Sequence, residues 1–422
     1  MKTSLRVGGI LVLCYLVAWL DRMAINMTIQ DMAKDLSIGP ERIGWVLSAF
    51  FAGYALFQIP GGLLADRIGA RMVILLALAW WSLFTAFTGM ATTFGMMLAV
   101  RFLFGIGEGI FPASVWKVIG AWFTKKNRAT ANALIISSIA LGPALTPLIL
   151  APVLATYGWR TCFYVLGCLG LACWVICHRV IYNSVREHPA SSPEEIAEFE
   201  QDQKSDLANQ ESTLQKGSFG DLLKTPIVWV LFSIGLVCNI AMYGWLNWLP
   251  SYLLQAKKLD LKGMAFAASI PFMFGAIGCM SAGFISDRWF RGRRRLLVLL
   301  CMGTGLVSLY LFTRVENMNT AMVMQCLAGF SLFMASGALW ALPMIFLPPS
   351  LMGSGSGFIN TGGQIGGFLS NIIIGYYISY RNNDYAAGFD IMLGALFIAI
   401  LIVAFGVKEA PGANSVVTPD QK

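Results

Sequence analysis

The chain has 422 residues, of which 57% are hydrophobic and only 12% charged. Soluble domains carry about a quarter charged residues, so the composition excludes an ordinary water-soluble globular protein. The net charge of +8, from 30 basic and 22 acidic residues, would suit a nucleic-acid binder, but the basic residues gather in short turns between apolar runs, so no nucleic-acid partner is expected.

Six apolar runs come first, at 5–30, 42–64, 71–90, 94–121, 128–155 and 160–182, each long enough to cross the roughly 30 Å hydrocarbon core of a bilayer. The first is too long for the apolar core of a signal peptide and has no small-residue cleavage pattern, so it is expected to remain as the first span. It contains "YLVAWLDRMAINM" at 15–27, which sets Asp21 beside Arg22 deep in an apolar helix. Ionisable groups inside a span cost several kcal/mol unless paired or hydrated, and mark functional sites by default. Adjacent helical residues point about 100° apart, so the two need not pair with each other.

Between the second and third spans lies "GLLADRIGAR", with Asp66, Arg67 and Arg71. Asp66 is expected to pair with Arg67 or Arg71, or to meet the positive end of a neighbouring helix, and so to latch this end of the molecule in one conformational state. In the fourth span, Arg101, Gly105, Glu108 and Pro112 follow the spacing of one helical face. Gly105 and Gly109 form a small-residue pair that is expected to let helix one approach and bring Arg22 to Glu108. Lys117 lies toward the end of this span and is expected to snorkel, with a role in guiding an anion out as the alternative. "GPALTP" at 142–147 places two prolines in the fifth span and predicts a kink there.

A polar stretch, 183–224, follows. In it "SPEEIAEFE" carries a helix-start signal, with Ser192 as the cap and acids in the first turn. Six more apolar runs lie at 225–250, 263–285, 294–313, 319–346, 355–380 and 386–407. The predicted organisation is therefore an N-terminal six-helix bundle over 1–182, a connecting loop over 183–224, a C-terminal six-helix bundle over 225–407 and a tail over 408–422. "GFISDRWFRGRR" repeats the Asp-Arg turn as Asp287 and Arg288, 221 residues after Asp66 and again between the second and third spans of its half. A duplicated six-helix unit explains the coincidence. Lysines and arginines favour the turns on the side of both termini, which predicts cytoplasmic termini.

In the second half, Tyr243 and Asn247 share a face of the seventh span, and Asn360 and Gln364 share one of the glycine-rich eleventh. Amides and a phenol suit the hydroxyls of a sugar acid, and Trp340 could stack on its ring; interhelical hydrogen bonding and packing are the structural alternatives. The nine cysteines lie in apolar segments without zinc or disulfide spacing. His178 and His188, the only histidines, are poorly placed as a central proton relay. Neither a phosphate-binding lysine loop nor a dinucleotide fingerprint occurs, so no cofactor, no metal and no enzyme chemistry are expected.

The paired Asp-Arg turns and the six-plus-six layout resemble the major facilitator superfamily. Within it, "LDR" in helix one, "RFLFGIGEGIFPA" and "WFTKKNRA" around the end of helix four, and "YGWRTCFY" resemble the anion:cation symporter family. The second Asp-Arg turn departs from the first, with Trp289 and Phe290 where a glycine would follow. The resemblance covers nearly the whole chain apart from the loop and the last 15 residues. It implies an all-α membrane protein of two pseudo-symmetric six-helix bundles around one cavity, working as a monomer among membrane lipids in a bacterial inner membrane. Its function would be the proton-coupled symport of a small organic anion, most of all a sugar acid (hexuronate, aldonate or aldarate). By the same resemblance Asp21 and Glu108 carry the coupling protons, Arg22 recognises the anion and Asn360 contacts it, with Arg101 as an auxiliary charge. An exporter of a drug-like or siderophore-like metabolite is the rival, with Gly142-Pro143 as a faint echo of an exporter signature. A sensor that binds without transporting is a second rival, against which the short loop argues.

Overall fold

The computed structural model describes residues 3–211, 220, 223–290, 293–340, 342–347 and 352–407, and among them the only regular secondary structure is helical. In chain order the helices are α1 (Thr3–Asp35), α2 (Pro40–Ile68), α3 (Ala70–Met90), α4 (Phe94–Trp122) and α5 (Lys125–Val180). After α6 (Pro193–Glu211) come α7 (Pro226–Gln255), α8 (Leu261–Trp289), α9 (Arg294–Arg314), α10 (Met318–Leu339), α11 (Met352–Tyr380) and α12 (Gly388–Gly406), with a single turn at Pro343–Phe346 before α11.

Among the described residues, ten helices are long and apolar enough to cross a membrane. One of these, Thr130–Val180, has 51 residues and suffices for two crossings, with the left-handed backbone of Gly158 (φ 78°) separating them. This break falls between the fifth and sixth predicted spans, 128–155 and 160–182, whereas the backbone at the prolines of 142–147 keeps helical dihedrals. Pro143, Pro147 and Pro152 all lie within helix, while glycine adopts a positive φ without steric cost. The 29-residue α11 adds a twelfth span, less apolar because Asn360, Gln364, Asn371 and its glycines interrupt the run.

The packing is doubly repeated. In the first half α2 packs on α4, and α3 on α4 and α5; in the second α8 packs on α10, and α9 on α10 and α12. The halves meet through α2 with α11, α5 with α8, and α1 with α7. The first two of these pairs exchange under the pseudo-two-fold axis and the third maps onto itself.

Glycine sets the closest crossings, in the corresponding helix pairs of both halves. A Cβ on Gly53 would lie 2.1 Å from the Phe102 carbonyl oxygen and one on Gly105 2.2 Å from that of Phe50, while Gly278 and Gly329 stand in the same relation to Phe330 and Pro271 at 2.2 and 2.3 Å. Gly109 likewise meets Tyr54. The small-residue face of α4 therefore receives α2 and not α1, because α4 packs along α2 and touches α1 only locally. Arg22 reaches Glu108 by side-chain length.

Helix α1 is buried on every side from Val17 to Gln30, as expected of a helix that is apolar all round and sits at the centre of a bundle. A group of hydrogen bonds ties the halves near the end of α1, on the side of the α1–α2 turn. Asn26 donates to Asn247 (2.9 Å), which donates to Asn371 (2.9 Å); Gln30 donates to Ser251 (2.8 Å) and accepts from Gln255 (3.2 Å); Ser48 donates to the Phe368 carbonyl (2.6 Å).

Candidate functional site

The centre of the molecule holds four buried charged residues, Asp21, Arg22, Arg101 and Glu108, each no more than 9% exposed. Helix α1 supplies the first two and α4 the others. Arg22 donates to Glu108 Oε2 from Nε at 3.0 Å and from Nη2 at 2.5 Å. Its guanidinium is framed by the rings of Trp19, Phe50 and Tyr54, 4.5 to 5.0 Å from their centroids. Delocalised and weakly hydrated, a guanidinium is the cation best suited to such an aromatic frame. The hydroxyls of Tyr54 from α2 and Tyr243 from α7 lie beside it, with Gln364 from α11 next to Tyr243. Arg22 thus stands where the two halves meet.

The pair is incomplete. Glu108 Oε1 has no hydrogen-bond partner, nor has either carboxylate oxygen of Asp21, nor Nε of Arg101. Glu108 and Arg101 are among the groups whose charge acts on Asp21, and the hydrogen bonds of Arg22 go to Glu108. The Arg101 guanidinium lies 4.6 Å from the Phe104 ring centroid. Both acids are therefore sealed from water in this state, and one of them is wholly unpaired.

The other residues singled out in the sequence fall into three places. Tyr243 and Gln364 join the Arg22 cluster. Asn247 is occupied in the asparagine chain between the halves. Trp340, 47% exposed, and Asn360 line a separate cavity within the second half, one turn along α11 from Gln364. The structure also brings in residues that the sequence reading passed over: Trp19, Phe50 and Tyr54 around the guanidinium, and Asn26 and Asn371 in the chain of amides. Asn26 carried a legible signal, one helical turn beyond Arg22 on the same face. Tyr54 carried none, since nothing in its own helix marks it.

The Asp-Arg turn is wired differently from the expectation. Asp66 accepts from Lys117 Nζ at 2.8 Å, and the same ammonium donates to the Ala65 carbonyl at 2.9 Å. Arg67 is exposed. Arg71 instead donates to the His178 carbonyl (2.8 Å) and lies over Tyr182, while its backbone N–H binds Asn183. The partner of Asp66 comes from α4 because α2 and α4 run side by side to this end. Arg288 is exposed, and the Asp287 side chain lies outside the described residues.

These features, two six-helix halves around buried charges that belong to opposite elements, define a polytopic membrane transporter. The chain belongs to the Major Facilitator Superfamily, whose family model matches residues 11–371, and within it sits with the anion:cation symporters; it is a secondary transporter and not an enzyme. It is 30% identical over 380 residues to the probable galactarate/D-glucarate transporter GudP of Escherichia coli (strain K12), covering 85% of this chain and 83% of that one. Over 429 residues it is 28% identical to the probable sulfoacetate transporter SauU of Cupriavidus necator, with 98% and 97% coverage. The hexuronate transporter of Bacillus subtilis (strain 168) is 26% identical over 417 residues, with 96% and 95% coverage. Among solved structures, a D-xylose-proton symporter aligns with a TM-score of 0.76 at 12% identity, covering 96% of this chain and 98% of that one. A bacterial homolog of the human lysosomal transporter Spinster aligns at 0.73 and 18%, covering 95% of each.

Proposed function

We propose that this chain imports a small organic anion together with protons by alternating access, across a bacterial inner membrane and with both termini in the cytoplasm. The observation that carries the reading is Arg22, a buried guanidinium held by one carboxylate and flanked by groups from both halves. A second carboxylate would compete with Glu108 for the same planar fork, which binds such groups bidentately. In this proposal residues 1–182 and 225–407 are the two rocking bodies, joined by 183–224.

With the amides joined near the α1–α2 turn, the described state corresponds to closure on the outer side. Arg22–Glu108 is then the resting pair of the empty carrier. On the outward-open side Glu108 takes a proton and releases Arg22 to the incoming anion. Asp21 has no partner, and an unpaired carboxylate in a dry site costs several kcal/mol as an ion, a cost that protonation removes. Binding proton and anion together makes each stabilise the other in the cavity, which is the thermodynamic content of coupling. Release of protons to the cytoplasm restores the Glu108 carboxylate, which displaces the anion from Arg22.

Sugar acids are the substrate class we propose, because Tyr243, Gln364 and Asn360 offer a phenol and two amides to hydroxyl groups, and two of the similar proteins are named for sugar-acid transport. The test uses purified protein in liposomes with an imposed pH gradient and labelled hexuronates, aldonates and aldarates. Accumulation is expected to follow the gradient and to be lost in Asp21→Asn and Glu108→Gln, with substrate counterflow retained. Retained accumulation in both variants, or loss of counterflow alone, would overturn the assignment of the acids.

A further inference from the structure

The second half contains an open cavity that the charges of the first half do not touch. Its mouth is marked by Asn239, Ser336, Asn360 and the exposed Trp340. Behind them the walls turn apolar: Leu231 and Ile234 from α7, Met302 from α9, Leu332 from α10 and Leu396 from α12, all buried. All of these lining residues belong to the second half.

Its position relative to Arg22 follows from helix register. Asn239 is four residues before Tyr243 and Asn360 four before Gln364, so both mouth residues lie one turn, about 6 Å, along the same faces that flank the guanidinium. The Asn239 side chain rests on Gly363, where a Cβ would come within 2.9 Å of its amide nitrogen, which fixes this part of the rim. A molecule whose carboxylate sits on Arg22 has its far end at this opening.

A hydroxylated chain entering among those leucines, an isoleucine and a methionine would give up hydrogen bonds to water and find none in exchange. An alkyl or aryl group would instead exchange water for apolar contact. Resting on the anion-binding role of Arg22 argued above, we propose that this side pocket receives an apolar arm of the transported anion, so that the carrier accepts amphiphilic short-chain hydroxy acids as well as hydroxylated ones. The carboxylate and its neighbouring hydroxyl engage Arg22, Tyr243 and Gln364, Trp340 covers the mouth, and the arm fills the pocket behind it.

The full-length protein, purified and reconstituted in nanodiscs, is titrated calorimetrically with 2-hydroxypropanoate, 2-hydroxybutanoate, 2-hydroxypentanoate and 2-hydroxyhexanoate. Affinity is expected to rise about fourfold for each added methylene, and the gain is expected to vanish in Ala335→Phe, which fills the pocket from α10. Affinity that stays flat along the series in the unaltered protein overturns the pocket, whatever the fate of the variant. An equal gain in a folded Ala335→Phe protein overturns it too, because the arm then lies elsewhere. If none of these acids binds while a hexuronate or aldonate does, the pocket falls and the anion reading of Arg22 stands; if neither class binds, the anion reading falls with it, whereas binding without a chain-length gain removes the pocket alone.

Discussion

At the level of single residues, Arg22 and Glu108 form a buried ion pair in which each is the other's main compensation for leaving water. Removing one partner strands a charge, at a cost of about 3–5 kcal/mol. Glu108→Ala is therefore expected to lower thermal stability sharply, while Glu108→Gln keeps an amide oxygen for Arg22 and loses less. The double change Arg22→Met with Glu108→Leu is expected to regain most of the loss while abolishing anion binding, because apolar groups fill the site without an unpaired charge. Melting temperatures of the purified variants separate these cases. If Glu108→Ala melts with the parent protein, the pair is not sealed from water as described.

Helix crossings obey a harder constraint, since backbone cannot yield as a side chain can. A methyl group on Gly105 meets the Phe50 carbonyl at 2.2 Å, whereas one on Gly120 of the same helix meets nothing within 4 Å. Gly105→Ala is expected to cost about 1–3 kcal/mol through forced separation of α2 and α4, and Gly120→Ala to gain up to about 1 kcal/mol from helix propensity. Thermal melts of the two variants, measured side by side, check both signs. The segment that leaves α5 makes a softer contact with the bundle. Ser192 caps α6 by accepting from Glu195 N–H (3.2 Å), and just before it His188 packs edge-on against Trp122 and Tyr182 while its Nδ1 accepts from the Ala190 N–H at 3.1 Å. Burial there holds the imidazole below its ordinary range, with Glu195 opposing and Arg6 assisting. A depressed histidine contributes stability while neutral and loses it as the pH falls through its folded-state pKa. Docking of this segment is thus expected to weaken as the pH falls below the ordinary histidine pKa of about 6.5, read as faster amide exchange over residues 182–191 after correction for intrinsic rates. His188→Phe, which keeps the ring without the titrating nitrogen, is expected to remove the pH step.

For the whole molecule, the joint between the halves decides which state is populated. Its hydrogen bonds run between uncharged amides and hydroxyls, each worth about 1 kcal/mol, so losing one changes the ratio of states about fivefold. Asn247→Ala breaks two of them, to Asn26 and Asn371. Gly44→Val drives a side chain into the Asn371 carbonyl, which a Cβ at that position would already meet at 2.4 Å. Both variants are expected to favour separation of α2 from α11 at this end, measured as longer spin-label distances between the α1–α2 and α11–α12 turns. Unchanged distance distributions in both would mean that the joint does not control the equilibrium.

What the residues alone determined was the class of molecule. Apolar length fixed the crossings, the repeated Asp-Arg turn exposed the duplication, and an aspartate and an arginine inside a span marked the centre. All of these are properties of a segment or of its distance along the chain. How the partners meet was decided only in three dimensions. Arg22 met Glu108 as its sequence predicted, but by side-chain reach, since the Gly105 face that was to bring α1 close received α2, and Asp66 took Lys117 over the adjacent arginines. Helical periodicity says which residues share a face, but the element that the face meets depends on how twelve spans pack together, and that arrangement is set by the sum of all the crossings.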